Sequence, residues 1–414
     1  MPHYTFVSRS FIALLSYRLF VILCYQITAV VVGWQIYQLT ADALALGLIG
    51  LAEVIPYFAS ALFAGYAVDR YNKRRLGLMA CSLLVLMTSA LLVYSLLPSE
   101  QVQSWGTVPI YAAIALSGFA RAFLSPVYNT LLVQLVERSD YARAAGIGSS
   151  IFQLAQIGGP AIAGGLLYFG SVSMVYGVTV VFAVLSVVAL WLIPNVVAAP
   201  AKLPHAGDVR AVFSDIGQGL RFVFGHQILL SALALDMFAV LFGGAMALLP
   251  AFVADVLHSG PETLGLLRAA PAIGALSMGL YLTKHPIDRH AGKILLGAVT
   301  GFGACMMVFA LSKVLWLSVL ALAVSGLFDS VSVVLRSTIL QLSTPDDMRG
   351  RVSAINGLFI GSSNELGAFE SGLAAKWLGL IPSVLTGAGV TFLVVAVATK
   401  VAPRLRALHM KDLI

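Results

Sequence analysis

Charge is scarce in this chain. Only 10% of its 414 residues are Asp, Glu, Lys or Arg, while 59% are hydrophobic. The mean hydropathy of +0.94 lies far outside the range of soluble globular domains. Cysteine is scarcer still: Cys24, Cys81 and Cys305 fall in apolar segments at unrelated spacings. That pattern reads as buried thiols and argues against a disulfide framework or a cysteine metal site. Seven histidines are scattered, and no nucleophile–base pair or metal-ligand spacing appears. No enzymatic chemistry, metal or other cofactor is therefore expected. The pattern GxxxxGK[ST] is missing as well, which argues against ATP as an energy source.

What the chain has is length of apolar run. Twelve stretches of about twenty residues or more fall near 14–38, 44–68, 76–97, 107–136, 142–168, 171–193, 225–254, 262–283, 293–312, 315–342, 350–378 and 381–401. They are continuous rather than alternating, which favours helices over a β-barrel. The expectation is an all-α polytopic protein embedded in a lipid bilayer. The opening MPHYTFVSRSF lacks the form of a cleavable leader, and the run behind it reads as the first span. The net charge of +7 is a topology signal, not a nucleic-acid one. Of the 25 Lys and Arg, 19 lie on the side that holds both termini and every even-numbered connection, whereas the other side has only Lys313 and Lys376. By the positive-inside rule both termini are cytoplasmic. No soluble domain carries the basic stripes, so nucleic acid is not an expected partner.

The longest polar interval, 194–224, contains PNVVAAPAKLPHAGD, whose prolines mark a linker. It divides the chain into a six-span bundle at 1–193 and another at 225–414. Within the linker, Val209, Val212, Phe213, Ile216 and Leu220 share one helical face opposite Arg210, Asp215 and Gln218. A helix lying on the cytoplasmic surface fits this pattern, and a core-facing start of span seven is the competing reading. The halves echo each other: LVQLVERSDYARAAGIGSSIF aligns with TILQLSTPDDMRGRVSAINGLF, matching Gln134 to Gln341, Asp140 to Asp347 and Phe152 to Phe359. Just upstream, SGFAR against SGLFD sets Arg121 beside Asp329 after a one-residue slip. Such duplication marks transporters that rock one bundle against the other.

Between the second and third spans stands GYAVDRYNKRR. It resembles motif A of the major facilitator superfamily, GxLADRxGRK, keeping Gly65, Asp69, Arg70, Lys73 and Arg74. It departs at Ala67, and at Asn72, where the pattern has Gly and a tight turn at positive φ is expected. The resemblance implies twelve helices in two pseudo-symmetric six-helix bundles that work by alternating access. It also implies a latch in which Asp69, with Arg70 and Arg74 as partners, meets the positive pole of helix eleven. That helix is expected to open at STPDDMRGR, with Thr344 as cap, Pro345 at the first position and Asp346 and Asp347 in the first turn.

The fifth span, GIGSSIFQLAQIGGPAIAGG, resembles the family's motif C through Gly146, Gly159, Pro160 and Gly164, with Ala155 and Ala163 replacing glycines. In the family that motif marks antiporters, so the resemblance implies export driven by an ion gradient, with protons as the coupling ion. Two blocks, LALGLIGLAEVIPYFASALFAGYAVDR and RSTILQLSTPDDMRGRVSAINGLFIGSSNELGAFESG, are similar to the bacterial enterobactin/siderophore and drug exporter group. The implied protein is a monomeric carrier of the bacterial inner membrane that exports a small amphiphilic molecule. A nutrient importer or a lysolipid flippase on the same fold are the alternatives.

Nine ionisable residues lie within spans: Arg18, Glu53, Arg121, Asp236, Arg268, Asp329, Arg336, Glu365 and Glu370. Each costs about 2.5 to 3.5 kcal/mol at a bilayer centre, so each should face the bundle interior, water or a partner. By depth, Glu53, Asp236, Asp329 and Glu365 are candidate proton carriers. Arg121 lies at similar depth and occupies the arginine position of the family's motif B. Arg18 and Arg336 lie nearer the cytoplasmic ends, where snorkelling is expected. Tyr25, Gln26, Gln35, Tyr128, Asn129, Gln153, Gln156 and Asn364 are candidate substrate contacts, a mix of amides and aromatics suited to an amphiphilic solute.

Overall fold

The computed structural model describes residues 8–194, 209–287, 289–345 and 348–413. Side chains at 62, 65, 66, 69, 138, 142, 209–216, 349, 350, 354, 358, 362, 412 and 413 lie outside the description. The linker at 195–208, the apolar face expected at 209–216, the side chain of Asp69 and the pair Asp346/Asp347 therefore fall outside the described residues.

Every described element is helical. The chain opens with α1 (Arg9–Thr40), α2 (Ala43–Arg70), α3 (Lys73–Ser95) and a short α4 (Ser99–Trp105). Next come α5 (Val108–Leu135), α6 (Tyr141–Phe169) and α7 (Val172–Trp191). Beyond the linker lie α8 (Val209–Gly225), α9 (Gln227–Gly243) and α10 (Leu249–Ala251). The last are α11 (Pro261–Lys284), α12 (Ala291–Leu311), α13 (Leu315–Ser343), α14 (Arg349–Leu378), α15 (Leu380–Val401) and α16 (Pro403–Ala407). Eleven stretches of described residues are long and apolar enough to cross a membrane. The 30 residues of α14 supply the twelfth long helix. A helix satisfies its own backbone in hydrocarbon, which is why long apolar runs take this form. Buried hydroxyls do the same locally: Thr28, Thr88 and Thr391 each donate to the carbonyl four residues back, at 2.7 to 3.0 Å.

Two compact units emerge. The first comprises Met1–Thr40, Ala52–Asp208 and Gly260–Gly265, and the second Ala41–Leu51, Val209–Ser259 and Leu266–Ile414. Their internal packing follows one scheme. In the first, α1 packs on α6 and α7, and α3 on α5 and α7; in the second, α9 packs on α14 and α15, and α12 on α13 and α15. Helices α1, α3, α5, α6 and α7 thus correspond in packing to α9, α12, α13, α14 and α15, and the aligned sequence blocks fall on the α5–α6 and α13–α14 pairs.

Two local expectations are corrected, at Asn72 and at Thr344. The seventh span, expected over 225–254, is a single apolar span at Gln227–Val256, but its helix breaks at Gly244, continues as a 3-10 turn at Ala245–Leu248 and ends in a π-helical turn at Phe252–Val256. Two adjacent glycines and Pro250 weaken the helix there, and the Ser371 hydroxyl donates to the freed Gly244 carbonyl at 3.0 Å. Asn72 has φ −64°, not a positive value: it is the N-cap of α3 and its side chain accepts from the Arg75 N–H at 3.1 Å. Helix α14 begins at Arg349 with Met348 at its N-cap, so Thr344 ends α13 instead of capping α14. The Pro345 carbonyl accepts from the Met348 N–H at 3.0 Å.

As for the linker helix, α8 packs its described end inward. Val223 is fully buried with Leu229, Leu233, Leu340, Val352 and Ile355, and Leu220 and Phe222 pack against the group. Phe224 on the same turn stays exposed.

Candidate functional site

In the first unit, α2 and α5 bring Glu53 and Arg121 together as an ion pair. The approach depends on Gly118, one turn before Arg121: a β-carbon there would strike the Glu53 carbonyl. Tyr25 of α1 completes the group. Arg121 Nη1 donates to the Tyr25 hydroxyl at 2.7 Å, and that hydroxyl donates to Glu53 Oε2 at 3.3 Å. The guanidinium carbon also lies 4.1 Å from the centre of the Tyr25 ring. Three expected site residues therefore form one network.

Beside this network lies a cavity of about 230 Å³, walled by α1, α5 and α6 together with Leu84 of α3. Tyr25, Gln26, Tyr128 and Gln156 line it, as do Arg121 and Phe152. The same wall includes Arg18, expected to snorkel away from the interior. Its guanidinium instead stacks 4.1 Å from the Tyr128 ring centre and 5.6 Å from that of Phe152. The remaining substrate candidates lie elsewhere. Gln35 is buried and accepts from the Tyr176 hydroxyl at 2.6 Å, a tie between α1 and α7. Asn129 and Asn364 are exposed on their helices, and Gln153 is half-buried outside the cavity lining.

The second unit holds a different pair. Asp236 of α9 and Arg336 of α13 form an ion pair in which both side chains are buried, and this corrects the expectation that Arg336 snorkels. Asp329 stands two turns before Arg336 on the same face of α13, half-buried. Glu365 is half-buried on α14, its backbone carbonyl against Gly50. Four of the five expected coupling residues thus fall in two clusters, Glu53 with Arg121 and Asp236 beside Asp329.

Of motif A, Gly65 and the Asp69 side chain lie outside the described residues. Arg70 is exposed, and Lys73 opens α3 half-buried. Arg74, expected beside Asp69, donates to the Trp191 carbonyl at the end of α7. Of motif C, Gly159 lets α1 approach: a β-carbon there would sit 2.5 Å from Gln26 Cβ. Gly164 lies against Gly265, with 2.8 Å from its would-be β-carbon to the Gly265 Cα, and Gly146 faces open space. Pro160 is buried inside α6. Sequence reasoning passed over Gly118 and Gly148, because a glycine's value as a contact depends on a partner helix that the sequence does not reveal. Gly148 makes room for the Tyr128 hydroxyl.

An all-helical fold of long apolar rods, with paired charges in its interior and a small amphiphilic cavity, defines a polytopic membrane carrier. Residues 14–368 and 240–409 match the profile of the Major Facilitator Superfamily, and the chain belongs to that family. It is a secondary transporter, built on a fold that works by alternating access. The chain is 26% identical over 402 residues to the multidrug efflux pump Tap of Mycolicibacterium fortuitum, covering 93% of each protein. It is 26% identical over 354 residues to the enterobactin exporter EntS of Shigella flexneri, covering 84% of this chain and 80% of that one. Among solved structures, a POT family transporter in complex with 5-aminolevulinic acid superposes with TM-score 0.76 at 9% identity, over 96% of both chains. A bacterial homolog of the human lysosomal transporter Spinster gives 0.71 at 15% identity, over 96% of this chain and 98% of the other. These two bear on the fold alone.

Proposed function

We infer that this transporter is a proton-coupled antiporter that exports a small amphiphilic molecule, siderophore- or drug-like, across the bacterial inner membrane. The observation that carries the reading is the cavity in the first unit, where aromatic rings, two amides and the Glu53–Arg121–Tyr25 network meet at one wall. Rings and amides take an amphiphile, and a carboxylate held by an arginine is a group that can exchange its partner for a proton. The export direction is supported by the efflux pump and the enterobactin exporter among the relatives, and by small-residue packing of α6 at Gly159 and Gly164. Coupling runs through Asp236, Glu365, Glu53 and Asp329. The bundles are 1–193 and 225–414, joined by 194–224, with both termini cytoplasmic. The protein works as a monomer, and Asp69 with Arg70 and Arg74 latches the cytoplasmic rim.

The test uses everted membrane vesicles loaded with the protein and energised to an acid interior. The neutral amphiphile N-phenyl-1-naphthylamine should accumulate inside, and a protonophore should release it. Accumulation that ignores the protonophore sinks the coupling, and no accumulation above protein-free vesicles sinks export of such solutes.

A further inference from the structure

The charges around the first unit's cavity do not cancel. Arg121 is matched by Glu53. Arg18 is not: its guanidinium lies over the rings of Tyr128 and Phe152, and no ion pair involves it among the described residues. None of the residues lining the cavity is Asp or Glu. A permanent cation is costly at membrane depth, and the protein meets that cost with ring faces instead of a carboxylate. Ring faces stabilise a guanidinium while leaving its planar fork of N–H donors free for a ligand.

A second observation points the same way. Tyr128 is 4% exposed, and its hydroxyl has no hydrogen-bond partner among the described residues. A buried hydroxyl is seldom left unmatched unless a ligand or water completes it. Gly148 lets α6 close on that hydroxyl: a β-carbon there would collide with Tyr128 Oη and sit 3.6 Å from Arg18 Nη1. One orphan hydroxyl and one carboxylate-free guanidinium thus belong to stacked neighbours in the cavity wall, with Gly148 packed behind them.

We propose that the cavity selects an aromatic solute bearing an anionic group, a carboxylate, sulfonate or phenolate, which is held by Arg18 and the Tyr128 hydroxyl. The proposal rests on the export reading above and adds the charge of the substrate to it. The solute's ring lies along Tyr25 and Phe152, and the Gln26 and Gln156 amides meet its polar substituents. Arg121 does not serve as a second anion receptor, because Glu53 already occupies it.

The test compares two dyes with one aromatic skeleton, 8-anilinonaphthalene-1-sulfonate and N-phenyl-1-naphthylamine, which differ by the sulfonate. Each is titrated against the full-length protein in lipid nanodiscs, with empty discs subtracted. The sulfonate should bind at least about tenfold more tightly than the neutral dye, as a charge-assisted contact in a partly dry site provides. Arg18→Gln should abolish that preference while keeping the neutral dye's Kd within about twofold, and Arg18→Lys should retain part of it. Gly148→Ala should weaken the sulfonate selectively. Equal binding of the two dyes by the wild type, or an unchanged preference in Arg18→Gln, overturns the anion site while leaving amphiphile export standing. Loss of both dyes together in Arg18→Gln also overturns it, because Arg18 would then be scaffold. Vesicle accumulation of the neutral dye tests export separately.

Discussion

Each unit buries an acid–arginine pair, and the two pairs are built differently. In the first, Arg121 keeps 32% of its side chain exposed while Glu53 keeps 7%, and Tyr25 bridges them beside a cavity. In the second, Arg336 and Asp236 keep 7% and 9%, with hydrophobic residues such as Leu235, Ala239, Val331 and Leu335 around them. Both arginines stand on corresponding helices, α5 and α13, yet their acids come from helices that do not correspond: α2 in one case and α9, the counterpart of α1, in the other. The duplication has preserved the rods and their packing while the charges were reassigned. The lesson is that internal repeats predict architecture better than chemistry. The open pair is placed to respond to a solute, and the closed pair to hold its helices together or to carry a proton.

The largest effect should come from opening the closed pair. Asp236→Ala leaves the Arg336 guanidinium buried without its partner and should cost about 3–5 kcal/mol, read as lost thermal stability of the purified protein. Replacing both residues by leucine should restore most of that, and a double variant no better than the single one would show that the pair is not the cause. Gly118→Ala drives α2 off α5 in the first unit, at about 1–3 kcal/mol of overpacking, and it should also part Glu53 from Arg121 and depress transport. Glu53→Ala should be milder in stability, about 1 kcal/mol, because the freed Arg121 can turn to water in the cavity; a loss as large as that of Asp236→Ala would erase the proposed difference between the pairs. Smallest of all, Lys376→Ala breaks the 3.5 Å pair with Asp42, whose partners are 48% and 39% exposed, and should move stability by less than about 0.5 kcal/mol.

The sequence made the rods legible because apolar runs of spanning length have one solution in lipid. Helix ends were less so. Asn72 was read as a glycine substitute at positive φ, yet an asparagine before a helix serves equally well as an N-cap, and the structure uses it that way. STPDD looked like a helix start, whereas Thr344 belongs to the end of α13 and α14 opens at Arg349. Depth along a helix showed which charges lie inside, but not their partners. Arg336 was placed by its distance from the helix end, while Asp236, a hundred residues earlier, decides where it points. The same holds for Gln35, an amide that resembles a substrate contact until Tyr176 is found bonded to it. Tyr25, Gln26 and Gln156 were legible because the cavity-facing stripe of a central helix is the place where polar groups are tolerated.

The central claim is exchange of a solute for protons, and the direct measurement is proton movement. Purified protein in proteoliposomes containing a trapped pH indicator receives N-phenyl-1-naphthylamine outside, with no gradient imposed. The account predicts proton flow opposite to the dye, a signal absent from protein-free liposomes and from Asp236→Asn. Dye entry without proton movement, or protons travelling in the same direction as the dye, would contradict it.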